Sequence, residues 1–176
     1  TIEQQISQMF EIKTTPQRNE FSGIFKCKNL LLIQAESLNN FAIDEVLTPT
    51  LYRLKNMGIF VEGYNSPFLI GSTSDSEFMA NTSLLPANNG KITSNEYYNN
   101  VFPNTLANSF NNAGYYSMAT HNNYGVYYNR EVMMPKLGYD FYDSTRIKAE
   151  DTVEDSYVID YIKWIMYERE HYFSYW

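Results

Sequence analysis

The sequence predicts an α/β fold in which helices cover both faces of a mainly parallel sheet. Short apolar segments with strand character alternate along the chain with longer segments whose apolar residues recur at helical spacing. The 176 residues, 44% of them hydrophobic and 19% charged, suffice for one sizeable core and are too apolar for a disordered chain. We therefore expect one domain at 29–176, preceded by a polar arm or linker at 1–28.

Residues 29–64 predict a strand, a helix and a second strand. The continuous apolar run NLLLIQAE (29–36) is typical of a strand that is buried on both faces. TPTLYRLKNMG (48–58) has Thr48 at the N-cap position and Pro49 in the first turn, which indicates a helix. IFVEGY (59–64) is short and apolar and predicts the second strand.

The segment GSTSDSEF (71–78) predicts the start of the next helix, which extends over 74–85. Ser74 and Glu77 have the spacing of a capping box, with Ser74 as the N-cap. Thr73 would then lie just outside the helix, beside free N–H groups whose partial positive charge favours anions.

The second half of the chain continues the alternation. Because it closes on the opening of a strand, we expect the sheet to be incomplete; the Asn-rich patches ANNG and YYNN are interpreted as loops. The predicted elements are a helix at FPNTLANSFNNAG (102–114) with Pro103 at its start, a strand at YYSMATH (115–121), a short helix at YYNREVMMPKLG (127–138), a long helix at 151–170 and a strand beginning at YFSYW (172–176).

Polar side chains with chemical capability follow three of the predicted strands. Glu36 follows the first strand, Thr73 lies in the loop beyond another, and His121 ends a third. Ligands of parallel sheets bind outside the carboxyl ends of the strands, so we expect these residues to share one edge. Each also has a simpler interpretation: Glu36 and Thr73 as caps, and His121 with Arg130 as loop and surface residues.

The chemistry of these residue types points to a phosphate and a metal ion. Glu36 is a possible metal ligand, and Arg130 could hold a phosphate bidentately while His121 donates a further hydrogen bond. A threonine hydroxyl is a weak nucleophile, and no His or Lys base lies near Thr73 in sequence. If Thr73 reacts, we expect a metal to activate it.

Composition excludes several other classes. The net charge of −7 argues against nucleic acid as a partner, because phosphate backbones require a basic surface. The longest apolar run, LLLI (30–33), is far too short to cross a bilayer. The single cysteine, Cys27, allows no internal disulfide.

Four motifs together resemble a known family. NLLLIQAES, GSTSDSEF, FPNTLANSFNNAGYYSMATHNNYGVYYNR and LGYDFYD are similar, in order and in approximate spacing, to the extracellular domain of lipoteichoic acid synthases. These bacterial phosphoglycerol transferases belong to the sulfatase and alkaline-phosphatase-like superfamily. The resemblance runs from about Phe21 to the end of the chain and implies the N-terminal part of a catalytic domain.

The resemblance assigns roles to individual residues. Thr73 matches the catalytic nucleophile, and Glu36 with Thr73 matches part of the site for one Mn²⁺ or Mg²⁺ ion. His121 and Arg130 match residues that hold the phosphoglycerol group, and Tyr128 replaces a tryptophan of the family and is expected to bind the substrate as an aromatic wall. The Asp-His pair that completes the family's metal site has no counterpart in this sequence, so we expect weak metal binding by this segment alone.

The implied function is transfer of phosphoglycerol from a phosphatidylglycerol-type lipid, by way of Thr73, to a glycerol-phosphate acceptor. Family members act on the outer face of the bacterial cell membrane and are anchored by upstream helices. Two alternatives remain open: a sulfatase-like or phosphatase-like hydrolase, which STSDSEF disfavours because it lacks a Cys/Ser-x-Pro-x-Arg pattern, and a non-catalytic extracellular domain.

Overall fold

A single parallel sheet organises the structure, a computed structural model that describes residues 1–5, 18–65, 69–147, 155–169 and 171–175. Within these residues the sheet has four strands in the order β1-β4-β2-β3, and all three pairings are parallel. The predicted fold class is therefore confirmed. The strands are β1 (Leu30–Leu32), β2 (Tyr116–Thr120), β3 (Asp140–Tyr142) and β4 (Tyr172–Tyr175).

Helices connect the strands, because parallel neighbours require crossover connections. Short 3₁₀ turns at Asn40–Ala42 and Tyr127–Asn129 precede α1 and α5, respectively. The α-helices with described bounds are α1 (Pro49–Met57), α2 (Thr73–Thr82), α3 (Thr93–Tyr97), α4 (Leu106–Asn112), α5 (Arg130–Lys136) and α6 (Asp155–Tyr167).

Side chains of β2 alternate between two apolar clusters, one on each face of the sheet. Ala119 belongs to the cluster formed with α2, α4 and α5, in which Phe173 of β4 is fully buried. Met118 points to the other face and packs against Val158 and Ile162 of α6. Both faces are therefore covered by helices, as the alternation of the sequence predicts.

Two of the predicted strands differ in the structure. β1 is shorter than the predicted segment 29–36 and lies at the edge of the described sheet. Leu31 and Ile33 are each 51% exposed, so the prediction that this strand is buried on both faces was wrong. Residues 59–64 form no strand, and Ile59 is 95% exposed. An apolar run becomes a strand only where a neighbouring strand supplies hydrogen-bond partners, which composition does not reveal.

Other differences concern short elements and helix ends. α3 and β3 were not predicted, because five and three residues are too few to show a periodicity. Helix α4 begins after Thr105 rather than at Pro103, and the Thr105 hydroxyl accepts a hydrogen bond from the Asn108 N–H. Parts of the predicted N-terminal arm, long helix and last strand (6–17, 151–154, 170 and 176) lie outside the described residues.

No helix within the described ranges is long and apolar enough to span a membrane.

Candidate functional site

A small cavity lies where the carboxyl ends of the strands meet the N-terminus of α2. Its volume is about 60 Å³, room for only a few water molecules. Five of its lining residues come from four separate segments of the chain: Gln34, Glu36, Thr73, His121 and Arg130. The structure thus brings together four of the five residues singled out from the sequence.

Thr73 and Glu36 are in direct contact. The Thr73 hydroxyl donates a hydrogen bond of 2.8 Å to Oε1 of Glu36, across 37 positions of sequence. The Glu36 side chain is exposed, although it follows directly on a strand segment that the sequence predicts to be buried. Its proximity to Thr73, rather than the cost of a buried charge, is what marks Glu36.

The start of α2 differs from the predicted capping box. Thr73 is the first helical residue, and Ser72 precedes it with a φ of 43°. A non-glycine residue at positive φ is uncommon, and such strain clusters at functional sites. The Ser74 hydroxyl contacts Ser94 at 3.0 Å and caps nothing, while Glu77 pairs with a distant arginine.

Asp75 fixes the loop that leads to Thr73. Its buried carboxylate accepts hydrogen bonds from the N–H groups of Leu69 and Gly71 and from the Thr93 hydroxyl, at 2.9, 3.0 and 2.6 Å. Gly71 lies so close that a Cβ atom there would overlap the Asp75 carboxylate. Asp75, the first acidic residue of GSTSDSEF, therefore has a structural role.

Two residues that sequence reasoning missed support Thr73 from the sheet. Gln34 donates from its amide nitrogen to the Thr73 carbonyl at 3.2 Å, and the Tyr175 hydroxyl donates to the Gln34 amide oxygen at 2.5 Å. Gln34 and Glu36 continue the alternation of Leu30 and Leu32 beyond β1. That two-residue spacing was the available signal for Gln34.

His121 is a neutral hydrogen-bond donor in this site. Burial, and then the nearby charge of Arg130, lower the pKa of His121 to about 4. The Asn123 N–H donates to Nδ1 at 3.0 Å, so Nδ1 carries no proton and the hydrogen is assigned to Nε2. His121 can therefore donate one hydrogen bond to an anion without adding charge.

The pKa of His121 predicts a pH dependence of stability. The pKa of this histidine is 6.5 in the unfolded chain and about 4 in the folded protein. Between these two pH values the unfolded chain binds the proton more strongly, so lowering the pH favours unfolding. The unaltered protein should therefore lose unfolding free energy between pH 7 and pH 5. In the His121→Gln variant we expect this loss to be smaller by roughly 1 kcal/mol, a figure that allows for partial solvent screening. Urea unfolding at both pH values measures it. His171→Gln, which removes the other histidine, is the control, and an unchanged His121→Gln profile would contradict the assignment.

Arg130 is buried and paired with Glu77. Its Nε donates to both carboxylate oxygens of Glu77, at 2.8 and 3.1 Å, and its Nη2 lies 2.7 Å from Oε1. The residues are 3% and 8% exposed, respectively. Burial raises the pKa of the Glu77 carboxyl group, which the hydrogen bonds and charge of Arg130 oppose. Because both oxygens accept hydrogen bonds from a side chain that only donates, we assign Glu77 the ionised form.

Tyr128 lies beside Arg130 and is not among the residues that line the cavity. The centroid of its ring is 5.1 Å from the guanidinium carbon of Arg130, and the centroid of the Tyr127 ring is 5.9 Å from the same carbon. Tyr128 and the next residue, Asn129, both have positive φ, at 57° and 55°. This local geometry turns the aromatic side chain onto the arginine at the start of α5.

The oxygen donors of Glu36 and Thr73 suit a hard divalent cation. Carboxylate and hydroxyl oxygens are the ligand types that Mg²⁺ and Mn²⁺ accept. Among the described residues, no group of three or more His, Cys, Asp or Glu side chains could hold a metal ion. The described part of the chain therefore offers at most a partial donor set.

The chain is similar in sequence to known proteins over most of its length. The sulfatase family matches residues 28–167. The chain is 31% identical over 143 residues to lipoteichoic acid synthase 1 of Bacillus subtilis, covering 75% of this chain and 22% of that protein. It is 31% identical over 153 residues to lipoteichoic acid synthase of Staphylococcus saprophyticus, covering 81% and 24%. The chain thus spans less than a quarter of these relatives.

The fold also matches a solved structure. The crystal structure of the lipoteichoic acid synthase LtaP from Listeria monocytogenes superposes with a TM-score of 0.74 and 22% sequence identity, covering 87% of this chain and 40% of that one. At this identity the likeness establishes the fold. The region that the sulfatase family matches contains Gln34, Glu36, Thr73, His121 and Arg130, and Tyr175 of β4 lies beyond it. The chain belongs to the sulfatase family.

Proposed function

We propose that this chain carries the nucleophile of a metal-dependent phosphoglycerol transferase that acts on a phosphatidylglycerol-type lipid headgroup. The supporting observation is the 2.8 Å hydrogen bond from Thr73 to Glu36, in one cavity with His121 and Arg130. A hydroxyl oriented by a carboxylate, beside two anion-binding donors, suits phosphoryl transfer.

The side chains divide the first half of the reaction between them. The Thr73 oxygen attacks phosphorus, forming a Thr–O–P bond while the bond to the diacylglycerol oxygen breaks; the hydroxyl proton passes to Glu36, and the departing oxygen takes a proton from solvent. His121, through Nε2–H, and the remaining N–H groups of Arg130 hold the phosphoryl oxygens. Glu36 orients the hydroxyl and is the nearest proton acceptor in the cavity.

A divalent cation, Mn²⁺ or Mg²⁺, held in part by Glu36 and Thr73, would lower the pKa of the hydroxyl. In the second half, the hydroxyl of a glycerol-phosphate acceptor attacks the phosphoglyceryl group and releases Thr73. The product extends a cell-envelope polymer of the lipoteichoic acid type. We place this chemistry on the outer face of the bacterial cell membrane, where donor and polymer meet.

Trapping the intermediate tests the proposal. We expect the complete natural protein, supplied with Mn²⁺ and phosphatidylglycerol, to release diacylglycerol and to carry a phosphoglycerol adduct on Thr73, detected by mass spectrometry. Release of diacylglycerol together with free glycerol phosphate, with water as the only acceptor, would support the hydrolase alternative instead. If neither diacylglycerol nor the adduct appears, the transferase assignment is rejected in favour of a non-catalytic domain.

A further inference from the structure

Glu77 occupies a position in the cavity that the proposed reaction does not use. It follows Thr73 by four residues in α2, so the two lie on the same face of the helix, and both line the cavity. Only 8% of Glu77 is exposed. A buried carboxylate beside a phosphate-binding site opposes anion binding unless it acts through a cation.

That cation is Arg130. The contacts of Nε and Nη2 with Glu77 use donors on one edge of the guanidinium, and among the described residues Nη1 contacts only the Tyr127 carbonyl, at 3.4 Å. Both partners are buried, so solvent does not compete for these hydrogen bonds. Glu77 thereby fixes the orientation in which Arg130 presents its remaining N–H groups.

The same pair contributes no net charge to the cavity. Among the described lining residues, Arg130 is the cation, while Glu36 and Glu77 are carboxylates and His121 is neutral. These side chains supply no net positive charge. A ligand with one negative charge needs less counter-charge than a ligand with two, and the difference grows in a poorly solvated cavity.

We propose that Glu77 is a positioning and specificity-determining residue, which holds Arg130 in place and cancels its charge so that singly charged phosphodiesters bind in preference to doubly charged phosphomonoesters. This inference rests on the proposed function, because it concerns the same phosphate-binding site. It assigns Glu77 no contact with the reacting atoms.

The test compares two soluble ligands that both carry glycerol. Glycerophosphoglycerol is a diester, and glycerol 3-phosphate is a monoester that is doubly charged at about pH 8. Calorimetry on the complete natural protein gives both dissociation constants. Removing one negative charge from the cavity with Glu77→Gln should lower the ratio of monoester to diester dissociation constants about tenfold. A ratio that changes less than about twofold in a folded Glu77→Gln variant would overturn the charge role.

Two further variants and one pH comparison separate charge from position and from folding. Glu77→Asp keeps the charge but is shorter: it should weaken both ligands at least about threefold with the ratio nearly constant, and unchanged affinities would overturn the positioning role. Glu131→Gln, an exposed charge change, should leave the ratio unchanged. If Glu77→Gln does not fold, the ratio is measured for the unaltered protein at about pH 8 and at about pH 5, where glycerol 3-phosphate carries closer to one negative charge: the ratio should fall several-fold, and a constant ratio would contradict the charge role.

Binding of these ligands needs no turnover, so the two proposals fail separately. If the complete natural protein shows no lipid turnover but Glu77→Gln shifts the ratio of dissociation constants, the proposed function is rejected and the role of Glu77 is supported. Lipid turnover combined with an unshifted ratio rejects only the role of Glu77.

Discussion

A Thr73→Ala variant of the complete natural protein is expected to lose phosphoglycerol transfer by on the order of 10³-fold or more. The hydroxyl is the group proposed to form the bond to phosphorus, and the methyl group that remains cannot replace it. Release of diacylglycerol from phosphatidylglycerol, measured with Mn²⁺ present, reports the loss.

Two companion variants make this result interpretable. Thr73→Ser keeps a hydroxyl within reach of Glu36 and should retain measurable turnover. Thr82→Ala removes a threonine hydroxyl from the other end of α2, where it donates to the Phe78 carbonyl at 2.6 Å, and should leave turnover nearly unchanged. The hydrogen bond that Thr73→Ala removes is exposed, so its loss should cost no more than about 1 kcal/mol of stability. Full activity of a folded Thr73→Ala variant would refute the nucleophile.

An Arg130→Ala variant is expected to lose about 3–5 kcal/mol of unfolding free energy at neutral pH. The substitution leaves the Glu77 carboxylate buried without its counter-charge. Arg130 holds down the pKa of Glu77 against the effect of burial, so we expect the pKa of Glu77 to rise when Arg130 is removed. Because a raised carboxyl pKa favours the folded state at low pH and costs stability as pH rises, the loss should be smaller at pH 5 than at pH 7.

Urea unfolding at both pH values tests this prediction. The control is Lys91→Ala, which breaks the ion pair of Lys91 with Glu96, whose side chains are 63% and 28% exposed, respectively. Exposed pairs contribute about 0–1 kcal/mol, so Lys91→Ala should have little effect. Equal losses in the two variants would show that burial of the Arg130–Glu77 pair has no energetic consequence.

Sequence patterns were reliable where a helix or strand carries its own signal. Helix α6 shows it well: Val158 and Ile165 recur at helical spacing, and both are buried against the sheet. Strand β2 lies within the predicted apolar segment 115–121 for the same reason. Where the signal required a partner, as for the absent strand at 59–64 or the three-residue β3, local pattern was insufficient.

Glu77 illustrates a limit of local pattern within the site. Its spacing from Ser74 fits a capping box, and sequence alone offers no reason to prefer another partner. The structure pairs it with Arg130, 53 positions away, because a buried arginine requires an anion at hydrogen-bonding distance. The Gln34 contact to Thr73, across 39 positions, was hidden for the same reason.

The amino-acid sequence by itself determined the α/β class, most helices and the residues that cluster at the strand ends. Hydrophobic periodicity is visible within each segment, and the order of the motifs is visible along the chain. Only the tertiary structure decided that Thr73 begins its helix, that its hydroxyl contacts an exposed Glu36, and that Glu77 neutralises Arg130. These are contacts between segments far apart in the chain. Their energies depend on distance and burial, which exist only after the sheet has brought its strand ends to one edge.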